Sequence, residues 1–248
     1  MKFSIIDKRF KELLLNIKTY FKDNKNEILF QKRNIIKIVE FQNKKYVVKS
    51  FKIPHLLNQI VYNFFRASKS ERSYENSVKL IELDINTPKP IGYIEFNTLL
   101  FFKESFYISD FFDYNFEIRA VFSDKQFKDR ENILKYFINF SYELHKKGVY
   151  HIDYSPGNIL VKKENNSYIF SIIDVNRMKF LEMDTKLKMK SLSKLTKDDE
   201  DNALMLQFYQ KVSNLPLEEL EKDFQYALLE EKAYLEKKKR LKKLQRKS

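Results

Sequence analysis

The sequence predicts an α+β protein of two unequal lobes, a small β-rich lobe followed by a mostly helical one. Three observations carry that prediction. Short runs of β-branched and aromatic residues crowd the first third of the chain, helical apolar periodicity dominates the rest, and one apolar hairpin lies embedded among the later helices. On this reading residues 1–104 form the first lobe, 105–231 the second and 232–248 a basic tail. With 248 residues, 43% hydrophobic and 15% aromatic, the chain can bury a substantial core and does not have the composition of a disordered protein.

The elements follow in order. Ile28-Leu29-Phe30, Ile35 to Phe41 and Tyr46-Val47-Val48 read as three strands, with Asn34 and Asn43 as the turn residues able to take left-handed conformations. After Pro54, the apolar face of Leu56, Leu57, Ile60, Val61, Phe64 and Phe65 predicts a helix. A second helix is expected over about 70–83, from Tyr74, Val78 and Ile81, and the prolines at 88 and 90 stop it. Strands are expected at 91–96 and 98–102, with a break at Lys103-Glu104-Ser105 before Phe106-Tyr107-Ile108. Residues 131–147 form an amphipathic helix closed by Gly148 as a left-handed cap. Ile159-Leu160-Val161 and Ile169 to Ile173 make a hairpin around Glu164-Asn165-Asn166, and helices fill the chain from about 198.

Composition excludes some chemistries. The chain has no cysteine, so disulfides and thiolate metal sites are impossible, as suits a reducing cytoplasm. Asp7, Lys8 and Arg9 interrupt the place where a secretory apolar core would run, and no apolar stretch reaches the roughly 18 residues a membrane span needs. The net charge of +13 is uneven: nine Lys/Arg against Glu236 give +8 between Lys232 and Ser248. Such a run binds polyanions such as phospholipid head groups, or is a solvated terminal helix.

The most informative stretch is His151-Ile152-Asp153-Tyr154-Ser155-Pro156-Gly157-Asn158, with Asp174 beyond the hairpin. This is the spacing phosphoryl transfer from ATP uses. The Asp of an H-x-D-x-x-x-x-N loop accepts the attacking hydroxyl's proton, while the Asn and a later Asp hold magnesium. Asp153 is thus the candidate catalytic base, and Asn158 and Asp174 the candidate metal ligands. His151 reads as a structural hydrogen-bonding residue beneath the loop; His55 and His145 have no metal-ligand spacing. Upstream, Lys49 ends a strand and can pair with donor phosphates if a helix glutamate steadies it. Glu75 is the first choice for that glutamate and Glu71, one turn earlier, the alternative.

Leu144 to Val149 running into His151-Ile152-Asp153 and on to Asn158 resembles the protein-kinase-like superfamily. Within it the chain is most similar to the bacterial lipopolysaccharide core kinases of the Kdo/heptose (WaaP/InaA) type, over roughly residues 25–180. Val48-Lys49-Ser50-Phe51, Arg72-Ser73-Tyr74-Glu75, Thr87-Pro88-Lys89-Pro90-Ile91, Ser155-Pro156-Gly157-Asn158 and Asp174-Val175-Asn176-Arg177 carry the likeness. The resemblance implies a two-lobed kinase-like fold with a truncated C-lobe, ATP as donor, Mg2+ as cofactor, and a Kdo or heptose hydroxyl of lipid A-linked core as acceptor. It also implies a cytoplasmic enzyme, peripheral at the inner face of the inner membrane, its basic tail on the anionic surface and no specific nucleic-acid partner.

Three departures stand out. No glycine precedes Gly92, so Lys32, Arg33 and Asn34 occupy the turn where a glycine-rich phosphate clamp is expected, and their side chains are candidates for its work. Ile152 replaces an arginine that reads phosphorylated activation segments. Asp174-Val175-Asn176 stands for Asp-Phe-Gly, and the 74 residues after Asp174 favour a small or glycolipid acceptor over a protein. A protein hydroxyl as acceptor, or a degenerate kinase fold that only binds, remain the alternative readings.

Overall fold

The computed structural model describes residues 1–32, 34–51, 67–97, 102–165 and 167–245, without the side chains of 102–103 and 241–245. The helix expected over 54–65, Arg33 and residues 98–101 lie outside this set. The chain divides into two compact units: Met1–Tyr114 with Ser171–Arg177, and Asn115–Phe170 with Met178–Ser248. The expected lobe boundary at 104/105 falls inside a strand, and the first unit runs on to Tyr114.

The first unit is built on an antiparallel six-stranded sheet in the order β1-β5-β6-β4-β3-β2. Its strands are β1 (Lys2–Ile5), β2 (Ile28–Gln31), β3 (Asn34–Phe41), β4 (Lys44–Phe51), β5 (Pro90–Asn97) and β6 (Phe102–Asp110). Between β3 and β4, Gln42 and Asn43 both have positive φ, 50° and 59°, the two-residue turn whose twist matches that of the strands it joins. Asn34 is instead the first residue of β3, opposite Phe51, so the left-handed role expected for it is not what it plays. Glu104 and Ser105, expected as a break, are ordinary residues of β6 opposite Phe96 and Glu95. Their polarity is accommodated where it stands: Lys18 Nζ lies 2.5 Å from the Glu104 carboxylate.

Period-two alternation gives this sheet one apolar face and one mixed polar face. On one, α1 (Lys11–Leu15) and α2 (Ile17–Lys22) bury Leu13, Leu14, Ile17 and Phe21 against Val39, Tyr46, Val48, Ile94, Phe106 and Ile108. Fully buried aliphatics of this kind contribute about 1.5–3 kcal/mol each. On the other face lies α3 (Lys69–Glu82), whose Ser77 hydroxyl meets Tyr107 Oη at 2.8 Å. Ser68 caps α3 by accepting from the Glu71 N–H.

The second unit is organised by α5 (Arg130–Lys146), preceded by β7 (Phe116–Glu117) and the short α4 (Ile118–Ser123). Gly148, at φ 70°, ends α5 in the left-handed conformation expected of it. Strand β8 (Val149–His151) follows and pairs with β11 (Met178–Phe180). The predicted hairpin is present as β9 (Ile159–Glu164) and β10 (Ser167–Ile172), with β7 alongside β9. Helices α6 (Thr185–Leu192), α7 (Asp199–Ser213) and α8 (Leu217–Gln245) complete the unit, α6 beginning earlier than the sequence suggests. Ion pairs Lys190–Glu230 (2.8 Å) and Lys197–Glu231 (2.6 Å) hold the first half of α8; every residue from Lys232 to Arg240 is exposed.

Candidate active site

Strand alternation decides where Lys49 goes. Tyr46 and Val48 point into the α1–α2 core, so Lys49 and its opposite number Tyr107 face α3. There the Lys49 ammonium, its side chain only 11% exposed, lies 2.5 Å from Asp174 Oδ1. Asp174 follows β10 with φ 56°, a backbone state few residues other than glycine adopt and one that Asp tolerates. Such outliers persist where surrounding structure over-determines them. Two side-chain amides do that here. Asn176 Nδ2 donates to Asp174 Oδ1 at 2.6 Å, and Asn76 of α3 donates to the Val175 carbonyl at 2.7 Å.

The pairing expected between Lys49 and a helix glutamate is not found. Glu75 is exposed on the solvent side of α3, and its carboxyl is pushed up by partial burial and then by the negative charge of Glu71. Glu71 is buried, but its Oε1 receives the Tyr93 hydroxyl at 3.1 Å and the Lys2 ammonium, not Lys49. The physical reason is register: the face of α3 that looks at the sheet centres on Tyr74, flanked by Glu71 and Ser77, and Glu75 lies about 100° round the helix from Tyr74, beyond Glu71. Lys32 is exposed at the end of β2, with its amide on the Asn34 carbonyl, while Arg33 is outside the described residues.

In the second unit, the loop after β8 is tied down from all sides. The His151 ring is buried beneath it and its Nδ1 accepts from the Asp153 N–H at 3.0 Å, which puts the proton of the neutral ring on Nε2. Tyr154 is buried, stacks on Phe137 and meets the Ser141 hydroxyl of α5 at 2.7 Å. Asn158 Nδ2 donates to the Asp153 carbonyl at 2.9 Å and closes the loop across its own five-residue spacing. The result is an exposed Asp153 side chain on a backbone held by its neighbours.

Two cations at this loop were not anticipated from the sequence. Lys194, just past α6, donates to the Ile152 carbonyl at 2.8 Å and lies 4.9 Å from the Tyr150 ring centroid. Arg119 of α4 lies directly over Gly157: a Cβ added there would come within 1.7 Å of its guanidinium. No local pattern marks either residue, because both reach the loop from distant elements.

A strand lysine answered by an aspartate beyond a hairpin, and an aspartate on a loop closed by the asparagine five residues on, are working parts of the protein-kinase-like class. The fold agrees with that class. The chain resembles the structure of WaaP in complex with acyl carrier protein with a TM-score of 0.66 at 15% identity, over 96% of this chain and 99% of that one. A fainter likeness to WbdD, TM-score 0.47 at 17% identity, covers 77% of this chain and 46% of that one. No curated protein matches the sequence. The profile of the lipopolysaccharide kinase (Kdo/WaaP) family matches residues 28–215, and the chain belongs to that family. It is accordingly a kinase that phosphorylates a sugar hydroxyl of the lipopolysaccharide core, with ATP as phosphate donor.

Proposed function

We propose that Asp153 is the general base of this kinase, accepting the proton of the sugar hydroxyl as it attacks the donor's terminal phosphate. The observation that carries the reading is the Asn158–Asp153 closure. It supports an exposed carboxylate delivered on a preorganised loop, and positioned proton acceptors contribute about 10²–10⁴-fold to rate. Lys49 is the donor-phosphate cation of the scheme, with its ammonium already desolvated on β4.

Asn158 and Asp174 are the proposed magnesium ligands, on the strength of their place in the sequence motif. Their donor chemistry suits the ion. Asn158 spends its Nδ2 on the loop carbonyl and keeps Oδ1 as an oxygen ligand, and Asp174 is a carboxylate; Mg2+ prefers such hard oxygens, completed by phosphate and water. Bound there, magnesium would neutralise charge developing on the transferred phosphate.

The setting we infer is the cytoplasmic face of the inner membrane, where nucleotide and lipid-linked core meet. No described helix is long and apolar enough to cross a membrane. The exposed basic end of α8 supports a peripheral attachment to anionic lipid. Labelled ATP incubated with purified core glycolipid tests the whole reading. Asp153→Ala should lower turnover by about 10²–10⁴-fold with an unchanged melting temperature; retained turnover refutes the base assignment, and label entering proteins but never glycolipid refutes the acceptor.

A further inference from the structure

Helix α3 carries a stripe of residues spaced for one face: Lys69, Arg72 and Asn76. The Asn76 end of this stripe is fixed, because its side chain donates to the Val175 carbonyl at 2.7 Å and α3 packs on the turn Val175–Arg177. The stripe therefore faces the segment that holds Asp174, and Asp174 in turn meets Lys49 at 2.5 Å. Side chains on a helix lean toward its N-terminus, so Arg72 leans toward Lys69, about 10 Å up the axis from Asn76.

Local rules argue against this arrangement. The Lys69 ammonium makes no hydrogen bond or ion pair with any described residue, and only its carbonyl is engaged, by the Ser73 hydroxyl at 2.8 Å. Partial desolvation pushes its ammonium down first, then the positive charges of Arg72 and Lys49; Asp174 opposes them and Arg177 adds to them. Both Lys69 and Arg72 also stand in the first turns of α3, the end where the helix dipole disfavours cations. Residues that break local preference, as these two cations do at the start of α3, mark functional sites. A multiply charged anion beside Asp174 and Lys49 would reverse all three penalties. The sequence, meanwhile, offers no glycine before Gly92 to cradle phosphates with backbone amides.

We propose that Lys69 and Arg72 bind the phosphate chain of the nucleotide donor alongside Lys49, doing with side-chain cations the work of a glycine-rich loop. The inference rests on ATP as donor and on the role read above for Lys49. It assigns the cradle to the start of α3, in place of the Lys32–Arg33 turn that the sequence suggested.

The test is binding to the full-length protein, with ATP, adenosine and inorganic tripolyphosphate as probes. Lys69→Met should weaken ATP by about tenfold or more, the scale of one charge-assisted hydrogen bond. It should also abolish the rise in melting temperature given by tripolyphosphate, and leave adenosine unchanged; Lys69→Arg should restore both responses. Wild-type behaviour of Lys69→Met toward ATP and tripolyphosphate overturns the inference and leaves the kinase reading standing. An equal loss for adenosine overturns it too, by revealing a merely structural role. A wild-type protein that binds neither ATP nor tripolyphosphate removes the donor assignment and the inference together.

Discussion

At the scale of single residues, the sharpest consequence of burial falls on an imidazole remote from the proposed chemistry. His145 of α5 is buried with Nδ1 3.0 Å from Tyr209 Oη, and burial, then the charge of Lys188, pushes its pKa down to about 3. An unfolded histidine titrates near 6.5. Above that value both states are neutral and the native packing contributes in full. As pH falls toward 3 the unfolded chain takes up a proton that the native state refuses, and stability declines by about 1.4 kcal/mol per pH unit on account of this group. Denaturant midpoints between pH 7.5 and 4.5 should therefore slope less for His145→Gln than for wild type; parallel slopes would remove His145 as the cause. From the sequence His145 could be denied metal-ligand spacing but not assigned to the buried stripe of Phe137, Ile138, Ser141 and Leu144 that it continues. Nor could Glu75 be excluded as the partner of Lys49. Helical spacing marks a face without saying what the face meets, and Asp174, which Lys49 actually contacts, lies 125 residues away in sequence.

At the scale of elements, β1 is the strand that sequence reasoning overlooked. Lys2 to Ile5 is too short for a period to register, and its partner is β5, almost ninety residues on. The trace it leaves is Gly92. A Cβ at that position would stand 2.6 Å from the Ser4 carbonyl, so only glycine lets the two backbones approach. Gly92→Ala should loosen this edge and lower stability by about 1–3 kcal/mol, with faster amide exchange over residues 2–5. Unchanged exchange there would mean that β1 adapts without strain. The break expected at Lys103-Glu104-Ser105 failed for a related reason: polar residues interrupt an isolated strand but not one whose neighbours supply Lys18 for Glu104.

At the scale of the whole molecule, charge divides α8 into two parts. Up to Glu231 the helix is held by ion pairs to the α6–α7 region; beyond it lie exposed Lys232, Lys237, Lys238, Lys239 and Arg240 against Glu236. Each cation near an anionic surface contributes about 1 kcal/mol. Replacing Lys237, Lys238, Lys239 and Arg240 by Glu should abolish co-sedimentation with phosphatidylglycerol-containing vesicles and spare turnover on detergent-dispersed glycolipid. Undiminished sedimentation would place the attachment elsewhere. The run itself was plain in the sequence, whereas the point at which α8 leaves the body depends on Lys190 and Lys197, which no charge count could single out.

The segment Ser171–Arg177 belongs to the first unit although the chain on either side of it belongs to the second. A fragment ending at Tyr114 would thus carry Lys49 without its counter-ion and α3 without the carbonyl that Asn76 grips. The two halves of this enzyme cannot be traded as modules between relatives by a single crossover: any functional chimaera has to bring that seven-residue insert along with the sheet it serves.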